Sequence, residues 1–215
     1  MQYQAVVFDM DGVIFDTERL VIEFWKEVAK KHNIPNVEHT CIQCLGTNRV
    51  RTREIFLENY GADFPFDPYR AEVTELFNTH YKGVPLPTKP GVRELLSYLQ
   101  EQDIKVGLAS STAQHLVRDE IGTAGLLPYF QTLVCGDMVE HSKPAPDIFL
   151  KACEILNADP TKSIAIEDSF NGIRSAHCAG MTPIMVPDQV QPTDEIRALA
   201  FHVMPSLLDV LNWLK

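Results

Sequence analysis

Five short apolar segments constrain the fold of this chain more than any other feature. They are rich in Val, Ile and Leu and do not alternate with polar residues, as is typical of parallel strands that helices cover on both faces. Amphipathic helical patterns lie between most of them, and strand and helix in alternation predict an α/β fold with a Rossmann-like parallel sheet. The segments are QAVVF (4–8), IKVGLAS (104–110), TLVCGD (132–137), SIAIED (163–168) and TPIMVP (182–187).

One long interval breaks this alternation. From Asp16 to Leu86 the chain is strongly charged and has helical periodicity without a strand, which predicts three helices and a fourth near residues 38–45. An interval of ~70 residues is too long for a connection between two elements. We therefore expect residues 1–15 and 87–215 to form the α/β core and residues 16–86 to form an inserted, all-helical domain.

Composition limits the classes of partner. The chain has 215 residues, is 45% hydrophobic and carries a net charge of −10, which argues against a general affinity for nucleic acid or anionic membranes. An anionic substrate would need a local cation. The five cysteines are scattered, no apolar run approaches about 20 residues, and the start lacks a signal-peptide pattern. These features predict a cytoplasmic protein. We expect a monomer without nucleic-acid or membrane partners.

Polar residues cluster at the predicted strand ends. Asp9 and Asp11 follow the first strand, Ser110-Ser111-Thr112 ends the second, and Glu167-Asp168 ends the fourth, while Lys143 lies between the last two groups. Because the carboxyl ends of parallel strands share one edge of a sheet, these groups should converge. Oxygen ligands without His or Cys favour a hard cation such as Mg²⁺, and the hydroxyls and Lys suit a phosphate.

Four motifs in register resemble the haloacid dehalogenase superfamily, and within it the β-phosphoglucomutase-like and sugar-phosphate phosphatase branch, which has a helical cap after the first motif. The resemblance covers the whole chain and implies that the inserted helical domain is this cap. The motifs are FDMDGVIFDTE (8–18), LASST (108–112), SKPAPDIF (142–149) and IEDSFNGI (166–173).

The resemblance implies phosphoryl transfer through an aspartyl-phosphate to or from a small phosphorylated metabolite. Asp9 would be the nucleophile and Asp11 the general acid and base. Mg²⁺ would be held by Asp9, the backbone carbonyl of Asp11 and Asp168, with Glu167 as an additional ligand. The expected phosphate-binding residues are Ser110, Ser111 and Lys143.

The cap should determine the choice between hydrolysis and isomerisation. At three positions where the mutases carry His, Lys and Lys-Asn, this chain has Val21, Leu45 and Ala113-Gln114. These departures favour a sugar-phosphate phosphatase, with a β-phosphoglucomutase-type isomerase as the alternative. Arg49 is compatible with a substrate contact and equally with a solvated helix charge. The expected substrate-binding residues are Thr17, Gly46, Arg49 and Gln114.

Two other classes fit the sequence less well. A dehalogenase would use the same aspartate without metal, but that family has an aromatic residue where Asp11 stands. A phosphorylated receiver switch also has acidic residues at a strand end and a Lys. Receivers, however, are about half this length, lack an inserted cap and place their paired acids adjacently.

Overall fold

The structure, a computed structural model, describes residues 3–215 and contains one six-stranded parallel sheet. The strands are β1 (Ala5–Phe8), β2 (Lys105–Ser110), β3 (Thr132–Cys135), β4 (Ser163–Glu167), β5 (Thr182–Met185) and β6 (His202–Val203). Their order across the sheet is β3-β2-β1-β4-β5-β6, so β1 lies between β2 and β4. The chain changes direction across the sheet at this point, which is where open α/β sheets bind ligands.

Within residues 3–215, ten α-helices accompany the sheet. They are α1 (Thr17–His32), α2 (Val37–Gln43), α3 (Arg49–Tyr60), α4 (Phe66–Tyr81), α5 (Val92–Glu101), α6 (Gln114–Thr123), α7 (Asp147–Leu156), α8 (Phe170–Cys178), α9 (Asp194–Leu199) and α10 (Leu207–Leu214). Side chains alternate between the faces of a strand, so Val6 and Phe8 pack into one apolar cluster while Ala5 and Val7 pack into another. Because both faces are covered, β1 is apolar at every position.

The four helices that follow β1 have an apolar cluster of their own. Aromatic side chains dominate it: the ring centroids of Trp25 and Phe56 lie 4.4 Å apart, and those of Phe56 and Phe66 lie 5.1 Å apart. Aromatic pairs at such distances add to the free energy gained by burying apolar area. The predicted helical cap, including its fourth helix, is confirmed.

Two stretches of chain that run side by side connect these helices to the sheet. The backbone N–H of Asp16 donates to the carbonyl of Pro87, at 2.9 Å, and that of Lys89 donates to the carbonyl of Ile14, at 2.8 Å. The Lys89 ammonium lies 2.5 Å from Asp188 Oδ1 and 3.6 Å from Asp16 Oδ1. These contacts lie where the predicted boundaries fall, and residues 16–86 remain our proposed extent of the cap.

The sequence predicted most of this architecture. The α/β fold class, the parallel sheet and the first five strands are confirmed. The sequence did not reveal β6, α9 and α10; β6 is a two-residue edge strand, too short to produce a periodic pattern. Among residues 3–215, no helix has both the length and the apolar character needed to cross a bilayer.

Candidate active site

The candidate site lies at the carboxyl ends of β1, β2 and β4, three neighbouring strands. Asp9 directly follows β1, Ser110 is the last residue of β2, and Glu167 is the last residue of β4. The sheet order places these residues next to one another although the sequence separates them by up to 158 positions. The convergence expected from the motifs is therefore a consequence of the strand order.

A buried lysine contacts the carboxyl ends of all three strands. Lys143 is 3% exposed; its ammonium contacts Asp9 Oδ1, donates to Glu167 Oε1 at 2.6 Å and donates to the Ala109 carbonyl at 3.0 Å. Burial by itself lowers the pKa of Lys143, but the two carboxylates reverse this effect and raise the pKa above its ordinary value. Lys143 therefore stays charged, as a buried cation can when it is fully paired.

Three buried carboxylates form a cluster that includes both carboxylate partners of this cation. Asp9, Glu167 and Asp168 each offer an oxygen, and these oxygens lie within 4.8 Å of one another. Burial raises the pKa values of Asp9 and Asp168; Lys143 opposes the rise at Asp9, and Glu167 adds to it at Asp168. One ammonium cannot balance three ionised carboxylates in a buried site, so the cluster favours a further cation.

Asp168 supports this conclusion through a single atom. Its Oδ2 is buried and accepts no hydrogen bond from any of residues 3–215. Gly12, which has φ +78°, passes so close that a Cβ there would lie 2.2 Å from this oxygen. A buried carboxylate oxygen without a partner, within a set of oxygen donors, fits a hard divalent cation such as Mg²⁺.

Glu167 differs from the other two carboxylates because both of its oxygens have partners. Oε1 accepts from Lys143, whereas Oε2 accepts from the backbone N–H groups of Asp168 and Ser169, each at 3.1 Å, and from the Ser169 hydroxyl at 3.0 Å. The Ser169 hydroxyl in turn accepts from the N–H of Gly172 and caps α8. Glu167 is thus fixed in one orientation by the start of α8.

Two threonines hold Asp11 at the mouth of the site. Thr17, the first residue of α1, donates to Asp11 Oδ1 at 2.6 Å, and Thr112 donates to Asp11 Oδ2 at 3.0 Å. One bond comes from the cap and the other from the chain after β2. This role of Thr112 was not predicted, although its position two residues after Ser110 was a signal for it.

A cleft of about 1130 Å³ lies between the cap and the core in front of these residues. The expected residues that line it are Asp9, Asp11, Thr17, Gly46, Arg49 and Ser111. The expected residues that lie behind its wall, buried, are Ser110, Lys143, Glu167 and Asp168. The structure does not place Gln114 among the lining residues; its backbone N–H donates to Asp137 instead, at 3.1 Å.

Glu18 and Arg70 also line the cleft and were not predicted from the sequence. Glu18 follows Thr17 and is half-buried; burial raises the pKa of its carboxyl well above the ordinary value, and the nearby Asp11 raises it further. Arg70 lines the cleft from α4. In the sequence, Glu18 at the end of the first motif and Arg70 within a charged helix resemble solvated surface charges. Only the folded chain distinguishes them from such charges.

The loop before α3 brings the cap against the core. Ser111 Oγ donates to the carbonyl of Gly46 at 3.3 Å, and the Asn171 side-chain amide donates to the carbonyl of Leu45 at 3.4 Å. Gly46 has φ +70°, and a Cβ added there would lie 2.3 Å from Ser169 Oγ. Only glycine permits this approach without a displacement of the loop or of Ser169.

Comparison with known proteins identifies the family. Residues 6–186 match the family model described as haloacid dehalogenase-like hydrolase, which is most of the chain. The chain belongs to this family. The resemblance seen in the four motifs is confirmed, and so is the prediction of an enzyme of this phosphatase family, with the phosphoglucomutase alternative also represented among the relatives.

Individual relatives agree with this assignment. The phosphorylated carbohydrates phosphatase of Thermotoga maritima is 34% identical over 181 residues, covering 84% of this chain and 83% of that protein. The β-phosphoglucomutase of Bacillus subtilis is 34% identical over 199 residues, covering 88% and 85%. The crystal structure of β-phosphoglucomutase from Clostridium difficile is 24% identical with a TM-score of 0.81, covering 99% of this chain and 95% of that one, and shows the shared fold.

Proposed function

We propose that this protein is a Mg²⁺-dependent phosphatase that hydrolyses a small phosphorylated carbohydrate through an aspartyl-phosphate on Asp9. The observation that carries the proposal is the position of Asp9. Among the described residues, it is the one member of the buried carboxylate cluster that also lines the cleft. A nucleophile must reach the substrate and the charge-stabilising groups at the same time, and Asp9 satisfies both requirements.

The chain's own residues account for the proposed steps. A carboxylate oxygen of Asp9 forms a bond to phosphorus while the bond from phosphorus to the ester oxygen breaks, and Asp11 donates a proton to the leaving oxygen. A water molecule then attacks the phosphorus, Asp11 takes its proton, and the bond to Asp9 breaks to release inorganic phosphate. The hydroxyls of Thr17 and Thr112 keep Asp11 directed at the cleft.

The groups around Asp9 would bind the phosphate and the metal. We assign phosphate binding to Ser110, Ser111 and Lys143, and metal binding to Asp9, Asp168 and the backbone carbonyl of Asp11. When bound there, Mg²⁺ would supply positive charge that offsets the repulsion between carboxylates and phosphate. The paired oxygens of Glu167 support a positioning role for it, in which it holds Lys143 rather than serving as a metal ligand.

The cap supports hydrolysis over isomerisation. Two positions at which β-phosphoglucomutases carry His and Lys are apolar here: Val21 lines the cleft, and Leu45 is buried. Neither can hold a second phosphate of a bis-phosphorylated sugar. The Thermotoga maritima relative is named a phosphorylated carbohydrates phosphatase, which supports phosphorylated carbohydrates as the substrate class. The Bacillus subtilis relative is named a β-phosphoglucomutase, so the mutase stays the alternative.

A single assay tests the proposal. The purified protein should turn over p-nitrophenyl phosphate repeatedly with Mg²⁺ and should release inorganic phosphate from at least one member of a sugar-phosphate panel. Formation of glucose 6-phosphate from β-glucose 1-phosphate, with little free phosphate, would instead establish the mutase. Absence of turnover across the panel, with p-nitrophenyl phosphate also untouched, would refute both activities.

Gly46→Ala should lower kcat/KM for the best sugar phosphate by about tenfold or more. The added methyl group would collide with Ser169 Oγ, which caps α8 and holds Glu167. To relieve this clash, either the cap loop moves or Ser169 moves and Glu167 and Lys143 shift with it. A displacement of catalytic groups by about 1 Å can reduce the rate about a hundredfold. Steady-state kinetics measures the effect.

Gly180→Ala is the matched control, since Gly180 has φ +75° and its added Cβ would meet no atom closer than 4.0 Å. Both variants should lose about 1 kcal/mol of stability to backbone strain, with activity lost only in Gly46→Ala. Unchanged kinetics in Gly46→Ala would show that this contact between cap and core is not needed for turnover.

A further inference from the structure

The cap contributes three cationic side chains to the cleft, and they differ in their surroundings. Arg49, at the start of α3, has a side chain that is 76% exposed, and it pairs with Asp67 at 3.0 Å. Lys82 is exposed to solvent just beyond the end of α4. Arg70, on α4, is half-buried. Asp67 and solvent balance the charge of Arg49, and solvent balances that of Lys82. In the described part of the chain, the half-buried charge of Arg70 has no such balance.

No carboxylate in residues 3–215 forms an ion pair with Arg70 within 4.0 Å. Its one side-chain hydrogen bond in that part of the chain is from Nη1 to the hydroxyl of Thr74, at 2.8 Å. A guanidinium has five N–H donors, so most remain available. Burial lowers the pKa of Arg70, and the nearby positive charge of Arg49 lowers it further.

A partly desolvated cation without a counterion is unfavourable, and a second cation nearby makes it more so. Other arginines of the cap have carboxylate partners: Arg51 pairs with Glu54 and Glu58, and Arg53 pairs with Asp67. An anion bound at Arg70 would offset the cost of its burial. The planar guanidinium suits two parallel hydrogen bonds to a carboxylate or a phosphate.

We propose that Arg70 binds a second anionic group of the substrate, a carboxylate or a phosphate distinct from the phosphoryl group that is transferred. This inference rests on the proposed function, because it assumes that the transferred group lies at Asp9. One continuous cleft of about 1130 Å³ is lined by both Asp9 and Arg70, so it has room for more than a phosphate ion. The substrate class becomes a phosphorylated carbohydrate that carries a second negative group.

Matched pairs of substrates test the inference on the wild-type enzyme. In the first pair, gluconate 6-phosphate has a carboxylate where glucitol 6-phosphate has a hydroxymethyl group. In the second pair, fructose 1,6-bisphosphate has one more phosphate than fructose 6-phosphate. We expect kcat/KM to favour the doubly anionic member of at least one pair by about tenfold or more, the scale of one charge-assisted contact. The pair that shows the preference identifies the second group. No preference in either pair would overturn the proposal.

Arg70→Gln should abolish this preference, Arg70→Lys should retain part of it, and both should leave p-nitrophenyl phosphate turnover within about twofold of wild type. Arg51→Gln is the matched control because Arg51 lies on a cap helix but does not line the cleft. Equal losses on singly and doubly anionic esters would assign Arg70 a structural role, and a preference retained in Arg70→Gln would assign the contact to another residue. Either result overturns the proposal.

Binding measurements separate this proposal from the phosphatase assignment. With Mg²⁺ present and hydrolysis prevented by Asp9→Asn, titration calorimetry should show the preferred doubly anionic ester binding to the Asp9→Asn variant about tenfold or more tightly than to the Asp9→Asn, Arg70→Gln double variant. Absence of turnover of p-nitrophenyl phosphate and of every sugar phosphate in the panel would refute the proposed function and leave this binding result to decide the second site. If Arg70→Gln does not fold, Arg70→Lys and the wild-type preference decide it.

Discussion

Asp9→Asn is expected to lower kcat by at least about a thousandfold on every phosphate ester that the protein hydrolyses. An amide of nearly the same shape replaces the carboxylate, but it is a poor nucleophile and cannot form the aspartyl-phosphate. The fold should survive, because Glu167 still pairs with Lys143 and the repulsion among the three clustered carboxylates is reduced. Steady-state kinetics and thermal unfolding measure the two effects.

Asp103→Asn is the matched control for this substitution. Asp103 is exposed in the turn before β2, at the opposite edge of the sheet from Asp9, and should tolerate the change without loss of activity. Acid-quenched wild-type enzyme should carry phosphate on Asp9, whereas Asp9→Asn should carry none. Retention of more than a few per cent of activity in Asp9→Asn would exclude Asp9 as the nucleophile.

The sheet and the buried groups behind the cleft were predictable because their causes are local in the sequence. A strand covered on both faces must be apolar at every position, as β1 is, and this leaves a clear pattern. Carboxylates at the end of such strands or directly after them contrast with the apolar residues before them. Parallel strands then bring Asp9, Ser110 and Glu167 together without further information.

The cleft side of the site was less predictable because it depends on how the cap meets the core. Glu18 and Arg70 are candidate site residues because they are partly buried and form no ion pair within the described chain. A helical charge pattern reveals neither property. The pairing of Arg49 with Asp67 across two helices is equally invisible in the sequence. The site roles of Arg49 and Gln114 stay predictions.

Removal of divalent metal is the second change with a large expected effect. Excess chelator should reduce turnover to background and added Mg²⁺ should restore it, because the buried carboxylates otherwise repel the substrate phosphate. Binding should also stabilise the fold: at a Mg²⁺ concentration a hundredfold above its dissociation constant, linkage gives about 2.7 kcal/mol, or roughly 5–10 °C in Tm for a chain of this size. Full activity in excess chelator would contradict the proposed site.

Asp168→Asn tests the site through stability as well as activity. The substitution removes the charge at the buried oxygen that has no hydrogen-bond partner in residues 3–215, so it should abolish the Mg²⁺-dependent rise in Tm together with turnover. In chelator the variant should unfold at a temperature no lower than wild type, because an unpaired buried carboxylate costs free energy that an amide does not. Asp103→Asn should keep the full Mg²⁺ response. A variant that lost stability in chelator would indicate that Asp168 serves the fold, and one that kept the Mg²⁺ shift would place the metal elsewhere.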